Sequence, residues 1–381
     1  MRSDATRGIT GCTVAEGRRK LVGTSHITRS AFPMLEIDGS YGEGGGQLVR
    51  TSVALAAVTN TPIRIRSIRA KRKPSGLAPQ HLAAVRAAAD LCRGHLEGAE
   101  SRSQKLVFAP GRIQGGSYTF DIGTAGSITL LLQALLPMMV SARQQFSLRV
   151  IGGTDVRASP PFDYFSRVFM PLLSKLGVAA TARLVRRGYY PRGGGIVEVV
   201  VEPSELQSLA VEEPGTLLEI AGNAHVANLP LSIAERMRAS ALASLTGRLT
   251  TRRCNVAAIQ EESAVGPGGA VVLWARHEHC VVGAARVAER GVPAERLGSE
   301  ASAELCADLT ARTTLDIHAA DQVLAYLALA IDAGPSHFTV REISSHAHTG
   351  MWLIEQMLPV RFSVERREGC WRVGVTHGSN S

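Results

Sequence analysis

Apolar positions along this chain follow two alternating periods. Short stretches, the first at Met34, Leu35 and Ile37, alternate apolar with polar, and longer runs between them repeat apolar residues every three or four positions. The first spacing lays one face of a strand on a core and the second lays one face of a helix there, so their succession predicts an α/β protein with several sheets. Five helices stand out. They span 47–58, 79–92 with proline in the first turn, 127–142, 161–176 ending at Gly177, and 321–332. A helix near 349–358 and a hairpin over 361–375, turning at Glu368 and Gly369, close the chain.

Glycine-rich turns at 42–46, 123–126, 152–153 and 193–195 suggest a repeated strand–turn–helix unit. From about 213 to 312 the texture shifts toward Glu and Ala, with helices at 232–245 and 299–309. That span is expected to be a smaller inserted domain, leaving 34–212 and 313–378 as a large repeat domain. Residues 1–33 are polar and basic without sustained periodicity and are expected to lie outside the fold. They lack the apolar segment of a secretory signal, and Asp4 and Glu16 argue against a transit peptide. A true start at Met34 would explain them.

Composition narrows the class. With 381 residues, 45% of them hydrophobic and 20% charged, the chain can bury a sizeable core. No apolar run reaches the ~18 residues of a membrane span, since Gln133 and Pro137 interrupt 130–140. Six scattered cysteines without zinc-ligand spacing read as reduced thiols, so a soluble cytoplasmic protein is expected. His277, His279 and Cys280 lie close together, but in the pattern of a strand with alternating faces. The net charge of +9 comes mostly from arginine, which suits a polyanionic partner. Arginine-rich usage of genomic origin explains the same charge, and both readings stand.

Candidate chemistry gathers in a few segments. Residues 38–50, DGSYGEGGGQLVR, hold five glycines around Glu43 and run into a helix, a loop suited to close approach of an anion. Arg50, Arg69 and Arg72 can converge on one oligophosphate or form a solvated basic face. Glu43 suits a Mg²⁺ or Mn²⁺ bridging phosphates, or is a turn carboxylate. No P-loop, nucleophile elbow or H-E-x-x-H pattern is present. His346, just before the last helix, can attack phosphorus as a neutral imidazole, or cap the helix; His348 competes for either role.

From about Met34 onward the chain resembles the RNA 3′-terminal phosphate cyclases. The resemblance rests on 38–50, SIRAKRKPSGL at 67–77, QHL at 80–82, IGTAGS at 122–127, GGTD at 152–155, YPRGGG at 190–195, GPGG at 266–269, ADQ at 320–322 and His346. It implies three repeated units of helices on a four-stranded sheet, with a small α/β domain inserted before the last. It also implies ATP-dependent conversion of an RNA 3′-phosphate to a 2′,3′-cyclic phosphodiester through a histidine-AMP intermediate and an RNA-adenylate, with AMP and pyrophosphate released.

By position the resemblance gives His346 as nucleophile and Glu43 as metal carboxylate. Arg50, Arg69, Arg72 and Gln80 fall around the phosphates. Gln133, Pro160, His318, Ala319, Ala320, Asp321 and Gln322 fall in the nucleotide pocket. His318 stands where the family typically has tyrosine, and Ser345 replaces a cysteine found in some relatives. Two alternatives share the architecture: a non-catalytic cyclase-like protein of ribosomal RNA processing, which lacks the histidine, and a carboxyvinyl transferase. His346 with its arginines counts against the first, and the segment 266–269 against the second.

Overall fold

A computed structural model describes residues 34–248 and 254–378; the extension expected at 1–33 lies outside them. The first unit comprises β1 (Leu35–Asp38), α1 (Gly46–Thr59), β2 (Ile63–Arg66), α2 (Pro79–Cys92), β3 (His95–Glu97) and β4 (Leu106–Ala109). Its sheet has the order β1-β2-β4-β3, with β1 and β2 parallel, as a helical crossover requires. The second unit repeats this plan. It contains β5 (Gly116–Asp121), α3 (Ile128–Ser141), β6 (Phe146–Gly152), α4 (Phe162–Tyr164), a π-helical turn at Phe165–Phe169, α5 (Met170–Lys175), β7 (Ala180–Arg186) and β8 (Gly195–Val201). The order is β5-β6-β8-β7.

Next come β9 (Leu217–Ala227), α6 (Leu231–Arg248), β10 (Cys254–Glu261), β11 (Gly268–His277), β12 (Val281–Val287) and α7 (Ala294–Thr310). These form their own sheet, β10-β9-β11-β12, and a separate apolar cluster around Met237, Val271, Leu273 and Leu305. The last unit holds α8 (Ile317–Leu329), β13 (Ser336–Val340), α9 (Ser345–Met357), β14 (Val360–Arg366) and β15 (Trp371–His377), with sheet order β13-β15-β14. This sheet has three strands where four are expected. A parallel bridge from Ala210 to His337 stands where the first strand of the other units lies. The β9–α7 layer therefore enters after that remnant, inside the third unit rather than before it.

The three units share one core. Leu55 of α1, Leu132 of α3, Leu324 of α8 and Leu353 of α9 belong to a single buried cluster, so the helices meet centrally with the sheets outside. A buried ion network joins the second unit to the β9–α7 layer. Arg187 donates to Glu261 (2.7 Å), Asp163 (2.9 Å) and Asp155 (3.2 Å), and Asn223 donates to Asp163 (2.9 Å). Burial alone would raise the Asp155 carboxyl, but Arg187 and His225 hold it well below the ordinary carboxylate range.

Helix starts depart from the sequence expectation where a cap goes unrecognised. α8 begins at Ile317 rather than 321 because the Asp316 side chain accepts from the His318 and Ala319 N–H groups (3.0 and 2.9 Å). α9 begins at Ser345 rather than 349 because the Ser344 hydroxyl accepts from the Ala347 N–H (2.9 Å). His346 therefore sits on the first turn of α9, not ahead of it.

Candidate active site

The glycine loop after β1 is pinned to α9. Gly42 adopts φ +55°, and a Cβ there would stand 2.3 Å from the Thr349 hydroxyl. That hydroxyl accepts the Glu43 N–H (3.1 Å) and donates to the Ser345 carbonyl (2.8 Å). Tyr41 stacks on Trp352 with ring centres 3.8 Å apart and planes at 16°. This docking carries a carboxylate oxygen of Glu43 to 3.4 Å from His346 Nδ1. The other oxygen of Glu43 receives Arg72.

Glu43 and His346 open onto a cavity of about 790 Å³. One end is cationic. Arg50 rises from α1 and is 8% exposed; no acceptor among the described residues engages its Nε, and burial pushes its guanidinium down to about 10. Arg69, at φ +50°, is held by the Gly76 carbonyl (2.8 Å), and burial lowers it as well. Arg72 and Gln80 line the same end. His81 stays neutral beside them. Burial first, then the charges of Arg50 and Arg69, drive it down to about 3, while its Nδ1 accepts the Ala78 N–H at 3.2 Å. Its Nε2 faces Gly46, where a Cβ would come within 1.9 Å, so the helix start and the ring occupy one space only because residue 46 is glycine.

The rest of the lining is mixed and includes charged groups. Gln133 of α3, Pro160, Pro161 and Tyr164 face His318, Asp321 and Gln322 of α8. The Thr129 hydroxyl donates to the Pro160 carbonyl (2.7 Å), and Tyr164 donates to Asp316 (2.6 Å). Residues 318, 321 and 322 share one face of α8 by their spacing. Ala319 and Ala320 lie on the opposite face, buried in the core, so these two residues of the expected pocket do not line the cavity. His318 Nε2 lies 3.1 Å from Glu304, which raises the imidazole to about 9.

His346 is held toward its neutral form. Burial lowers its pKa, Asp321 opposes that shift, and Arg50 and Arg72 reinforce it; the N-terminal end of α9 acts in the same direction. Ser344 links the two elements, donating to Asp321 (2.6 Å) while it caps α9. His348 is exposed and does not line the cavity.

A third wall has no signature in the sequence. Ala285, Arg286 and Val287 of β12, and Arg296, Leu297 and Glu300 of α7, close one side of the cavity. The Arg296–Glu300 pair at i, i+4 reads as an ordinary solvated helix face, so no sequence signal separates it from one. Among the described residues no group of three or more His, Cys, Asp or Glu side chains is placed to hold a metal ion, His277, His279 and Cys280 included. None of the described helices is long and apolar enough to cross a membrane.

A family model described as RNA 3′-terminal phosphate cyclase matches residues 41–364. Three relatives bear that same name. One from Nitrosospira multiformis is 53% identical over 341 residues, covering 89% of this chain and 96% of the relative. Those from Korarchaeum cryptofilum and Methanosarcina acetivorans are 42% and 41% identical, covering 87% and 90% of this chain and 94% and 100% of theirs. Glycine loop, arginine cluster and helix-borne histidine thus stand in a chain related over nearly its whole folded length to these enzymes. This chain belongs to the RNA 3′-terminal phosphate cyclase family.

Proposed function

We propose that this protein converts the 3′-terminal phosphate of RNA to a 2′,3′-cyclic phosphodiester at the expense of ATP, with His346 as the covalent nucleophile. The observation that carries this reading is the convergence of Arg50, Arg69, Arg72 and a neutral His346 on one cavity. The base of ATP lies between Pro160 and His318, and its phosphates extend toward the arginines.

His346 faces Glu43 through Nδ1, which leaves Nε2 for the α-phosphorus. The Nε2 lone pair forms the P–N bond as the bond to the β-phosphate breaks, and pyrophosphate leaves into the Arg50, Arg69 and Arg72 cluster, whose forks offset the charge. Glu43 then holds the Nδ1–H of the cationic ring. An oxygen of the RNA 3′-phosphate takes the AMP, breaking the P–N bond and returning neutral His346. The adjacent 2′-hydroxyl next attacks the phosphorus of the RNA 3′-phosphate, closes a five-membered ring and breaks the bond to the bridging oxygen, which leaves with AMP while the hydroxyl proton passes to solvent; the reaction is intramolecular and gains the effective concentration of a fixed neighbour.

A divalent ion fits this site only in a limited way. Glu43 is a lone carboxylate already shared with Arg72, so Mg²⁺ or Mn²⁺ would take one protein oxygen with the rest from phosphate and water, where it screens phosphate charge.

The test is an RNA oligonucleotide ending in a 3′-phosphate, incubated with protein, ATP and Mg²⁺ or Mn²⁺. The account expects the end to become resistant to phosphatase without retaining AMP, and expects an oligonucleotide whose last sugar is deoxyribose to stop at the adenylate, with AMP retained and no cyclic end formed. Phosphatase-sensitive RNA ends after full incubation count against it.

A further inference from the structure

We propose that Tyr190, Arg186 and Arg192 form a docking strip for the single-stranded RNA that leads into the reacting 3′ end. The inference rests on the RNA reading above. Among the described residues Tyr190 is 78% exposed, far more than the other exposed large apolar side chains, and the next, Val265 at 42%, lies against Gly194 of the same loop. An aromatic ring held out in water is costly to keep without a partner and offers a flat face to one.

Two cations belong to the same region: Arg192 lies in the loop with Tyr190, and Arg186, at the end of β7, reaches Gly194 of that loop. Arg186 Nε donates to the Gly194 carbonyl (2.7 Å) and Arg192 Nη1 to the Val265 carbonyl (3.2 Å). Among the described residues neither guanidinium meets an acid, so their charges are held in place by backbone oxygens and remain free for an anion. An exposed aromatic face on a loop that also carries arginines free of acids suits single-stranded nucleic acid without base preference. Two apolar side chains are too few for a protein-docking core, which favours a chain of phosphates as the occupant.

The strip is continuous with the cavity. A Cβ on Gly193 would meet the Thr124 carbonyl oxygen at 2.8 Å, and a Cβ on Gly126 would meet Gln80 Cβ at 3.0 Å. The loop at 190–194 therefore packs on the turn at 123–126, which packs on Gln80 at the cationic end of the cavity. RNA whose terminal phosphate reaches Gln80, Arg69 and Arg72 would leave along this edge, away from Pro160 and His318.

The experiment compares binding of a mononucleoside 3′-phosphate and a five-nucleotide 3′-phosphorylated RNA to the full-length protein by competition anisotropy. The unaltered protein is expected to bind the longer ligand more tightly. Tyr190→Ala should lose roughly tenfold of that length-dependent gain, as for one base–aromatic stack, while Tyr190→Phe keeps it. Arg192→Ala should reduce the slope of log affinity against log salt by roughly 0.7. A gain that survives both Tyr190→Ala and Arg192→Ala overturns the strip and leaves the RNA reading standing. Failure of the unaltered protein to bind either ligand overturns both.

Discussion

Arg50→Met should separate phosphate binding from the stability of the fold. Arg50 is 8% exposed, its Nε meets no acceptor among the described residues, and desolvation lowers its guanidinium from the ordinary arginine range to about 10. At ~1.4 kcal/mol for each tenfold in acidity, holding that charge in the ligand-free protein costs about 3 kcal/mol as an upper estimate. The sign follows from the direction. A cation whose folded value lies below its unfolded value destabilises the fold at every pH below about 10, and is relieved only between there and the ordinary arginine range. Methionine fills similar space without the charge, and replacing buried charge by apolar volume is commonly neutral to stabilising by 1–4 kcal/mol. Urea unfolding followed by tryptophan fluorescence, with and without ATP, makes the comparison. The expected result is a ligand-free variant at least as stable as the parent, and by up to about 3 kcal/mol more so, that gains no stability from ATP. A variant destabilised by more than about 1 kcal/mol, or one that ATP stabilises as it does the parent, would refute the reasoning.

Three further outcomes follow from the geometry. Gly42→Ala forces a side chain into the left-handed region against Thr349, so it should cost about 2–4 kcal/mol in strain and lost hydrogen bonding and lower the rate of AMP transfer, read by calorimetry and by single-turnover assay. The His318 imidazole should titrate near 9 in an NMR pH series and return toward 6.5 in Glu304→Gln. Its raised value means that the ion pair's contribution is fully present below 6.5 and lost as pH rises through about 9, though the half-exposed imidazole leaves the pair partly screened by solvent and its contribution small. AMP transfer to the protein should be insensitive to pH above neutrality and fall on acidification below the ordinary imidazole value, because burial keeps His346 neutral; stopped-time assays from pH 5 to 9 would show it.

Much of the site could be read from the chain because its residues travel in contiguous motifs. The glycine loop, Arg50, the 69–72 pair and Gln80 lie within 43 consecutive positions of one unit, 38–80, and a local reading suffices for them. What escaped depended on contacts across the fold. Neither Asp316 nor Ser344 announces itself as a cap without its helix, so α8 and α9 start later in the sequence reading than in the structure, and His346 moves onto a helix turn. Ala319 and Ala320 share a motif with His318 and Asp321 but point the other way, since a helix divides neighbours between faces. The remnant strand at Ala210 is too short to show a period, and the α7 wall looks like any charged amphipathic helix. Docking of Tyr41 on Trp352, which fixes the distance from Glu43 to His346, has no local signature at all.

The central claim is that His346 carries AMP. The direct measurement is incubation with ATP labelled at the α-phosphate and a divalent ion, denaturation, and peptide mapping of the retained label, with His346→Ala and His348→Ala in parallel. The account predicts an acid-labile adduct on the peptide containing His346, absent in His346→Ala, present in His348→Ala, and discharged by RNA ending in a 3′-phosphate. Label on another residue, or an adduct that survives His346→Ala, would contradict it.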